Sequence, residues 1–215
     1  MKLYGYFRSS AAFRLRIALN LKGLEAEAEV INLRAGDQSS ARYKAVNPQG
    51  RVPALDIGGE VLIQSLAIIE YLDETHPEPP LLPADALGRA RVRALADLIA
   101  CDIHPLNNLV VLNYIKRELG ADDAAEKRWY RHWVAEGFAA FEALLAGSRA
   151  TARFCHGDAP GLADICLVPQ VFNAQRFDCP LGAYPTLMRI FAECMRLDAF
   201  DRAQPSKQPE AAIIA

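Results

Sequence analysis

Serine hydroxyls stand at two places where a short apolar run gives way to helical periodicity. The first is Arg8-Ser9-Ser10, which follows the aromatic-rich segment Lys2-Leu3-Tyr4-Gly5-Tyr6-Phe7 and precedes Phe13, Ile17 and Leu21, one turn apart. The second is Gln64-Ser65, between Val61-Leu62-Ile63 and the helical set Leu66, Ile69, Leu72. Serine just ahead of such a run is a helix N-cap candidate. A helix start exposes backbone N–H groups and the positive end of the helix dipole, so it favours an anion. A hydroxyl there can orient a bound thiolate or carboxylate, and Gln64 adds an amide able to meet both a carboxylate and an amine. The simpler role of each serine is the cap alone.

A third segment, Asn47-Pro48-Gln49-Gly50-Arg51-Val52-Pro53-Ala54-Leu55, places a proline at a strand start, where its missing N–H is tolerated. Either isomer of the Val52-Pro53 bond is open; a cis bond would turn the Val52 backbone outward, free to pair with an extended peptide.

The elements that must hold these groups alternate in the first third of the chain. The pattern predicts a strand over 2–7, a helix over 10–22 ending at Gly23, a strand over 26–33 and a short helical or irregular piece over 38–46. Strands over 53–57 and 60–63, joined by a Gly58-Gly59 hairpin, and a helix over 65–75 complete it. The run His76-Pro77-Glu78-Pro79-Pro80-Leu81-Leu82-Pro83 then interrupts both periodicities and reads as an extended linker. Beyond it the pattern is helical throughout, over about 86–119, 123–146, 161–178 and 184–195, with a frayed tail from Gln204. The expected domains are therefore 1–78, α/β, and 88–215, all-helical, joined by a Pro-rich linker over 79–87. In a thioredoxin-like first domain the redox cysteines sit where strand one turns into helix one. Here that place reads Ser9-Ser10-Ala11-Ala12, so any sulfur acting there must be brought in.

The chain has 215 residues, 52% of them hydrophobic, and a formal net charge of -2 without a basic run. That composition suits a globular protein and argues against nucleic acid or an anionic membrane as partner. No stretch of about 18 apolar residues is free of charge, and the sequence opens on a predicted strand without a signal-peptide pattern; the five scattered cysteines fit reduced thiols in the cytoplasm. Cys101, Cys155, Cys166, Cys179 and Cys194 form no C-x-x-C pair and no metal-ligand spacing; each is expected as a small buried hydrophobe.

Taken in order, S-S-x-x-x-R opening helix one, N-P-x-G-x-V-P-A-L, Q-S-x-A-I-I-E-Y-L, the Pro-rich linker and a helical domain resemble the glutathione transferase family. The resemblance covers nearly the whole chain and is strongest to the zeta class, which includes maleylacetoacetate and maleylpyruvate isomerases. Asp102-Ile103-His104-Pro105-Leu106-Asn107-Asn108 and Leu167-Val168-Pro169-Gln170-Val171-Phe172-Asn173-Ala174-Gln175-Arg176-Phe177 are further zeta-like pieces. The resemblance implies a thioredoxin-like domain followed by a helical one, a homodimer, and glutathione as cofactor. It implies Ser9, with Ser10 beside it, at the thiol. It also implies the Val52 backbone, Gln64, Ser65, His104 and Asn108 around the tripeptide. Arg176 matches an arginine that meets the acidic substrate, and Arg8 is a second anion candidate. The implied activity is cis–trans isomerisation of a maleyl-type diketo acid in aromatic catabolism, whose two carboxylates call for guanidinium forks. The alternatives are a transferase acting on small electrophiles such as α-halo acids, or a non-catalytic glutathione-binding protein.

The sequence departs from the zeta pattern at three places. Ala11 replaces a usual cysteine, which argues against reductive dehalogenation but leaves isomerisation intact. Leu109-Val110 stand where some maleylpyruvate-type members carry arginines. Gly161 takes a helix-capping position usually held by serine or threonine, with Asp164 completing the box. Tyr4 and Tyr6 are expected in the core of strand one, and Trp129 and Trp133 on a buried helix face. His76, His132 and His156 are expected at the surface or as caps.

Overall fold

The computed structural model describes residues 1–214, which fall into two compact units, Met1–Leu81 with Met195–Ala215, and Leu82–Cys194. In the first unit a four-stranded sheet has the order β2-β1-β3-β4. Strand β1 (Lys2–Gly5) runs parallel to β2 (Glu27–Val30) and antiparallel to β3 (Ala54–Ile57), which pairs with β4 (Glu60–Ile63). Gly58 and Gly59, at φ 67° and 102°, make the hairpin turn that links β3 and β4.

Helix α1 (Ser10–Lys22) ends at Gly23, whose φ of 65° gives the left-handed C-cap that glycine adopts without penalty. Its buried residues, among them Phe13, Arg14, Leu15, Ile17 and Leu19, lie on nearly every side. Such a helix must be covered all round. Helix α3 (Ser65–Thr75) and the C-terminal return are among the elements that pack against it. There the Asn20 amide donates to Ala199 O at 2.8 Å, and Arg16 Nε donates to Ala203 O at 3.0 Å. These bonds hold α9 (Asp198–Asp201) and the residues after it through polar side chains inside α1, which hydrophobic periodicity does not register. The tail from Gln204, expected to fray, is folded as well: it carries a 3-10 turn over Pro205–Lys207 and α10 (Ala211–Ile214), and Gln208 Nε2 donates to Arg202 O at 2.9 Å. It belongs to the first unit.

The proline-rich segment is tied down as well. Lys22 Nζ, its side chain fully buried, donates to Asp73 Oδ1 at 2.6 Å, His76 O at 2.7 Å and Pro79 O at 2.6 Å. The Leu81 N–H meets the same Asp73 oxygen at 2.8 Å.

In the helical unit, the single helix expected over 86–119 is two. Helix α4 (Ala86–Asp97) runs into a π-turn over Leu98–Ile103, and α5 (Leu109–Arg117) starts afresh with Asn108 as its N-cap. Pro105 and the Asn107-Asn108 pair explain the break, since proline denies a helical N–H and asparagine prefers a cap to a helix interior. Helices α6 (Asp123–Ala146), α7 (Leu162–Arg176) and α8 (Pro185–Met195) follow the expected spans closely. Every residue from Leu162 to Val171 is buried, making α7 the core of this unit, packed on α4 and the π-turn. Asp164 closes its start as expected: one carboxylate oxygen accepts from Gly161 N and the other from Cys155 N, both at 2.9 Å. Burial pushes the Asp164 carboxyl above the usual carboxylate range. Cys101 departs from expectation and is exposed, while the other four cysteines are buried.

Candidate active site

In the first unit, the chain leaves β1 in a turn closed by Ser9 N donating to Tyr6 O at 2.9 Å. Ser9 is the N-cap of α1, and its hydroxyl accepts from Ala12 N at 3.2 Å. That bond uses one lone pair and leaves the O–H free to donate outward. Ser10 is the first helical residue and is buried. Tyr6 is also buried, edge-on to Phe7, as expected of a core residue. Arg8 has no ion pair among the described residues, and its guanidinium lies over the Phe7 ring, 4.9 Å from the centroid.

The start of α3 differs from expectation in one respect. Gln64, not Ser65, is the N-cap residue, and it makes no side-chain capping bond. Ser65 is the first residue of the helix and is buried, and its hydroxyl accepts from Arg14 Nη1 at 3.3 Å. The second hydroxyl is therefore held by a cation that comes from inside α1, and the two helix starts are linked through Arg14. Gln64 has φ 71°, an uncommon value for a residue with a side chain. Its amide nitrogen donates to Gln49 Oε1 at 2.9 Å, which ties α3 to the Asn47–Val52 loop.

That loop is built from inside. Asn47 Nδ2 and the Tyr43 hydroxyl both donate to Arg51 O, at 2.7 and 2.6 Å, and Gln49 N donates to Asn47 Oδ1 at 3.0 Å. Gly50, at φ 61°, has no room for a side chain, because a Cβ would stand 2.7 Å from Gln38 O. The Val52-Pro53 bond is cis. Neither the N–H nor the C=O of Val52 makes a hydrogen bond among the described residues, so both are available to an extended peptide.

In the helical unit, Asn108 caps α5 by accepting from Val110 N at 3.0 Å, and His104 closes the π-turn with its N–H on Ile99 O at 2.9 Å. Leu109, Val110 and Tyr114 are exposed. The two tryptophans are half-buried, ring edge to ring face, rather than core, and Trp129 Nε1 donates to Leu106 O at 2.8 Å. Arg176 ends α7 and is exposed. It lines an open cleft of about 210 Å³ together with Asp123, Glu126, Lys127, Phe177 and Asp178. Each acid of the cleft is paired with a lysine, two of them with the same one. Asp178 takes Lys127 at 2.8 Å, and Asp123 and Glu126 take Lys116 at 2.6 and 3.0 Å. The Arg176 side chain has no ion pair or hydrogen bond among the described residues. No group of three or more His, Cys, Asp or Glu side chains among them could hold a metal.

A thioredoxin-like sheet whose first helix starts on a serine, with unpaired Val52 backbone groups at a cis-proline and an all-helical second unit, narrows the family. The family pattern for the glutathione S-transferase N-terminal domain matches residues 1–74, and that for its C-terminal domain matches residues 107–198. The chain belongs to the glutathione S-transferase family. A maleylpyruvate isomerase from Ralstonia sp. is 52% identical over 212 residues, covering 99% of this chain and all of that one. A holo structure of a maleylpyruvate isomerase, a bacterial zeta-class glutathione S-transferase, superposes with a TM-score of 0.96 at 52% identity, over 98% of this chain and 99% of that one. Maleylacetoacetate isomerase from Methylobacterium extorquens AM1, solved with malonate and GSH bound, gives 0.95 at 44% identity, over 97% and 98%. The transferase fold, N-terminal α/β and C-terminal helical, is the one expected from the sequence. No described helix is long and apolar enough to cross a membrane.

Proposed function

We propose that this chain is a glutathione-dependent cis–trans isomerase that converts maleylpyruvate or maleylacetoacetate to the fumaryl isomer. The observation that carries the reading is Ser9. Its hydroxyl caps α1, and the chain has no cysteine of its own at that place, while its full length matches a maleylpyruvate isomerase.

The residues present suit glutathione. The unpartnered N–H and C=O of Val52 match the backbone of its cysteinyl residue. Gln64, Ser65 and the first N–H groups of α3 suit the carboxylate and amine of its γ-glutamyl end. His104 and Asn108 are assigned to the same tripeptide from the helical unit. When bound, glutathione supplies a thiolate that adds reversibly to the conjugated double bond and lets it rotate. Ser9 donates its O–H to that sulfur, and the N-terminus of α1 favours its negative charge, which lowers the thiol pKa. Ser10 supports that helix start from within. Arg176 and Arg8 take the carboxylates of the diketo acid and oppose the charge that develops on its ketone oxygen. A homodimer in the cytoplasm completes the proposal.

A second reading rests on Leu109 and Val110, whose exposed apolar side chains open α5. They suit transfer of glutathione to a small apolar electrophile. Incubation of the purified chain with either maleyl acid, with and without glutathione, tests the first reading. Glutathione-dependent loss of substrate absorbance with free glutathione recovered supports isomerisation, and a stable adduct supports transfer. No glutathione-dependent change with either acid overturns the isomerase.

A further inference from the structure

We infer that Phe177 and Tyr130 are positioning residues that set the plane of the Arg176 guanidinium for a substrate carboxylate. This rests on the proposed role of Arg176 and goes one step behind it. Among the described residues Arg176 has no anionic partner, although its cleft contains three carboxylates. Lys127 and Lys116 occupy them. Its ring contact is with Phe177, whose centroid lies 5.3 Å from the guanidinium carbon. A guanidinium laid on a ring keeps its N–H groups pointing outward in its own plane, so the two-pronged fork remains available.

The ring beneath it is held by stacking and by its own backbone bonds. Phe177 stacks on Tyr130 with centroids 3.7 Å apart and planes 8° from parallel. The Phe177 N–H donates to Asn173 O at 3.0 Å, and Phe177 O accepts from Arg131 Nε at 3.2 Å. Tyr130 is buried in α6, and its backbone O accepts from Asn107 Nδ2 at 3.2 Å. Its hydroxyl faces the side-chain amides of Gln170 and Asn173, and burial pushes the phenol far above its ordinary value, so it stays neutral. The order is therefore a pinned tyrosine, a stacked phenylalanine and an arginine free at its hydrogen-bonding edge. An exposed arginine without such a base would spend its side-chain freedom on each binding event.

The test uses the full chain with glutathione, one of the maleyl acids, and chlorodinitrobenzene as a neutral electrophile. Phe177→Leu is expected to raise KM for the maleyl acid roughly three- to fivefold, the range of an exposed cation–ring contact. It should leave kcat, glutathione affinity and turnover of chlorodinitrobenzene within about twofold. Phe177→Trp, which keeps a ring, should restore KM, and Phe177→Met replaces the leucine variant if that one does not fold. In Arg176→Ala the further change Phe177→Leu should add nothing to KM. Unchanged KM in Phe177→Leu, no rescue by tryptophan, equal losses on the neutral electrophile, or full additivity in the double variant would overturn the inference. Arg176→Ala alone separates the two claims. If it leaves KM for the acid unchanged, the role of Arg176 itself fails.

Discussion

Removing the Ser9 hydroxyl tests the centre of the proposed mechanism, but the same oxygen also caps α1, accepting from Ala12 N at 3.2 Å. The two roles must be separated. Alanine at an N-cap costs about 1 kcal/mol of stability, whereas glycine costs only a few tenths. For a chain of this size the alanine cost corresponds to a fall in Tm of about 2–4 °C. The bond from the hydroxyl to a thiolate is charge-assisted and worth roughly 1.5–3 kcal/mol, about ten- to a hundredfold in rate if it is lost only from the reacting form. Ser9→Gly should therefore lose turnover as deeply as Ser9→Ala while keeping nearly the parental Tm. Glutathione affinity should change little in either, since Val52, Gln64 and Ser65 carry it. The assays are thermal melting, kcat and KM for the maleyl acid and for glutathione, and ultraviolet titration of the bound thiol, whose pKa should rise in both variants. If Ser9→Gly keeps both the rate and the thiol pKa, the hydroxyl only caps the helix. Activation would then belong to Ser10 or to the helix dipole.

Three further outcomes follow from the structure. Ser65→Ala removes the acceptor of Arg14 Nη1 at the start of α3 and should raise KM for glutathione about tenfold with kcat nearly kept, read in steady-state kinetics; a fall in kcat alone would refute the assignment. Gly50→Ala forces a Cβ to within 2.7 Å of Gln38 O at φ 61°, and should cost about 1–2 kcal/mol in urea unfolding and raise KM for glutathione; an unchanged midpoint would show that the Asn47–Val52 loop yields freely. Asp164 has a folded-state pKa raised by burial, so the folded chain keeps a proton that the unfolded chain has already released, and this contribution to stability falls as pH rises from the carboxylate range toward neutral. The stability gap between the parent and Asp164→Asn, measured by urea unfolding across that range, should therefore be widest at acid pH; a gap that widens toward neutral pH would refute the raised pKa.

The parts of the fold that were legible in the sequence are those that periodicity and punctuation encode. Gly23 ends α1, Gly58-Gly59 turns the hairpin, and Asp164 closes the start of α7, each by a local rule. What escaped depends on contacts distant in sequence. No periodicity or cap rule marks Asn20 and Arg16, yet they hold residues 199 and 203 in the first unit. Arg14 stands out in the sequence only as the arginine of S-S-x-x-x-R; it is buried and donates to Ser65, so the hydroxyl expected as a cap accepts from a side chain instead. The split of the expected 86–119 helix was visible in Pro105 and Asn107-Asn108, but the apolar pattern runs on through Leu109-Val110 and hides it. At the candidate site, type and position alone place the serines and Gln64 at two helix starts. The organised loop under Val52 was not, because Tyr43 and Asn47 act through a single carbonyl, Arg51 O.

The charges on the two units bear on which substrate the chain takes. Arg8 in one unit and Arg176 in the other are arginines without ion pairs among the described residues, each laid over the ring of a chain neighbour, Phe7 and Phe177. The carboxylates beside Arg176 are paired with Lys116 and Lys127, so an added anion meets a guanidinium that none of them holds. An exposed apolar pair, Leu109 and Val110, stands at the start of α5 and supplies no further cation. Under the proposed roles each guanidinium takes one carboxylate of a dianionic acid, and the start of α5 adds no positive charge of its own. Installing one tests this argument. Val110→Arg should lower KM for the maleyl acid and leave turnover of chlorodinitrobenzene unchanged. If that arginine leaves the KM of the acid untouched while the neutral electrophile slows, the start of α5 faces an apolar group, and transfer to small electrophiles becomes the better account of this chain.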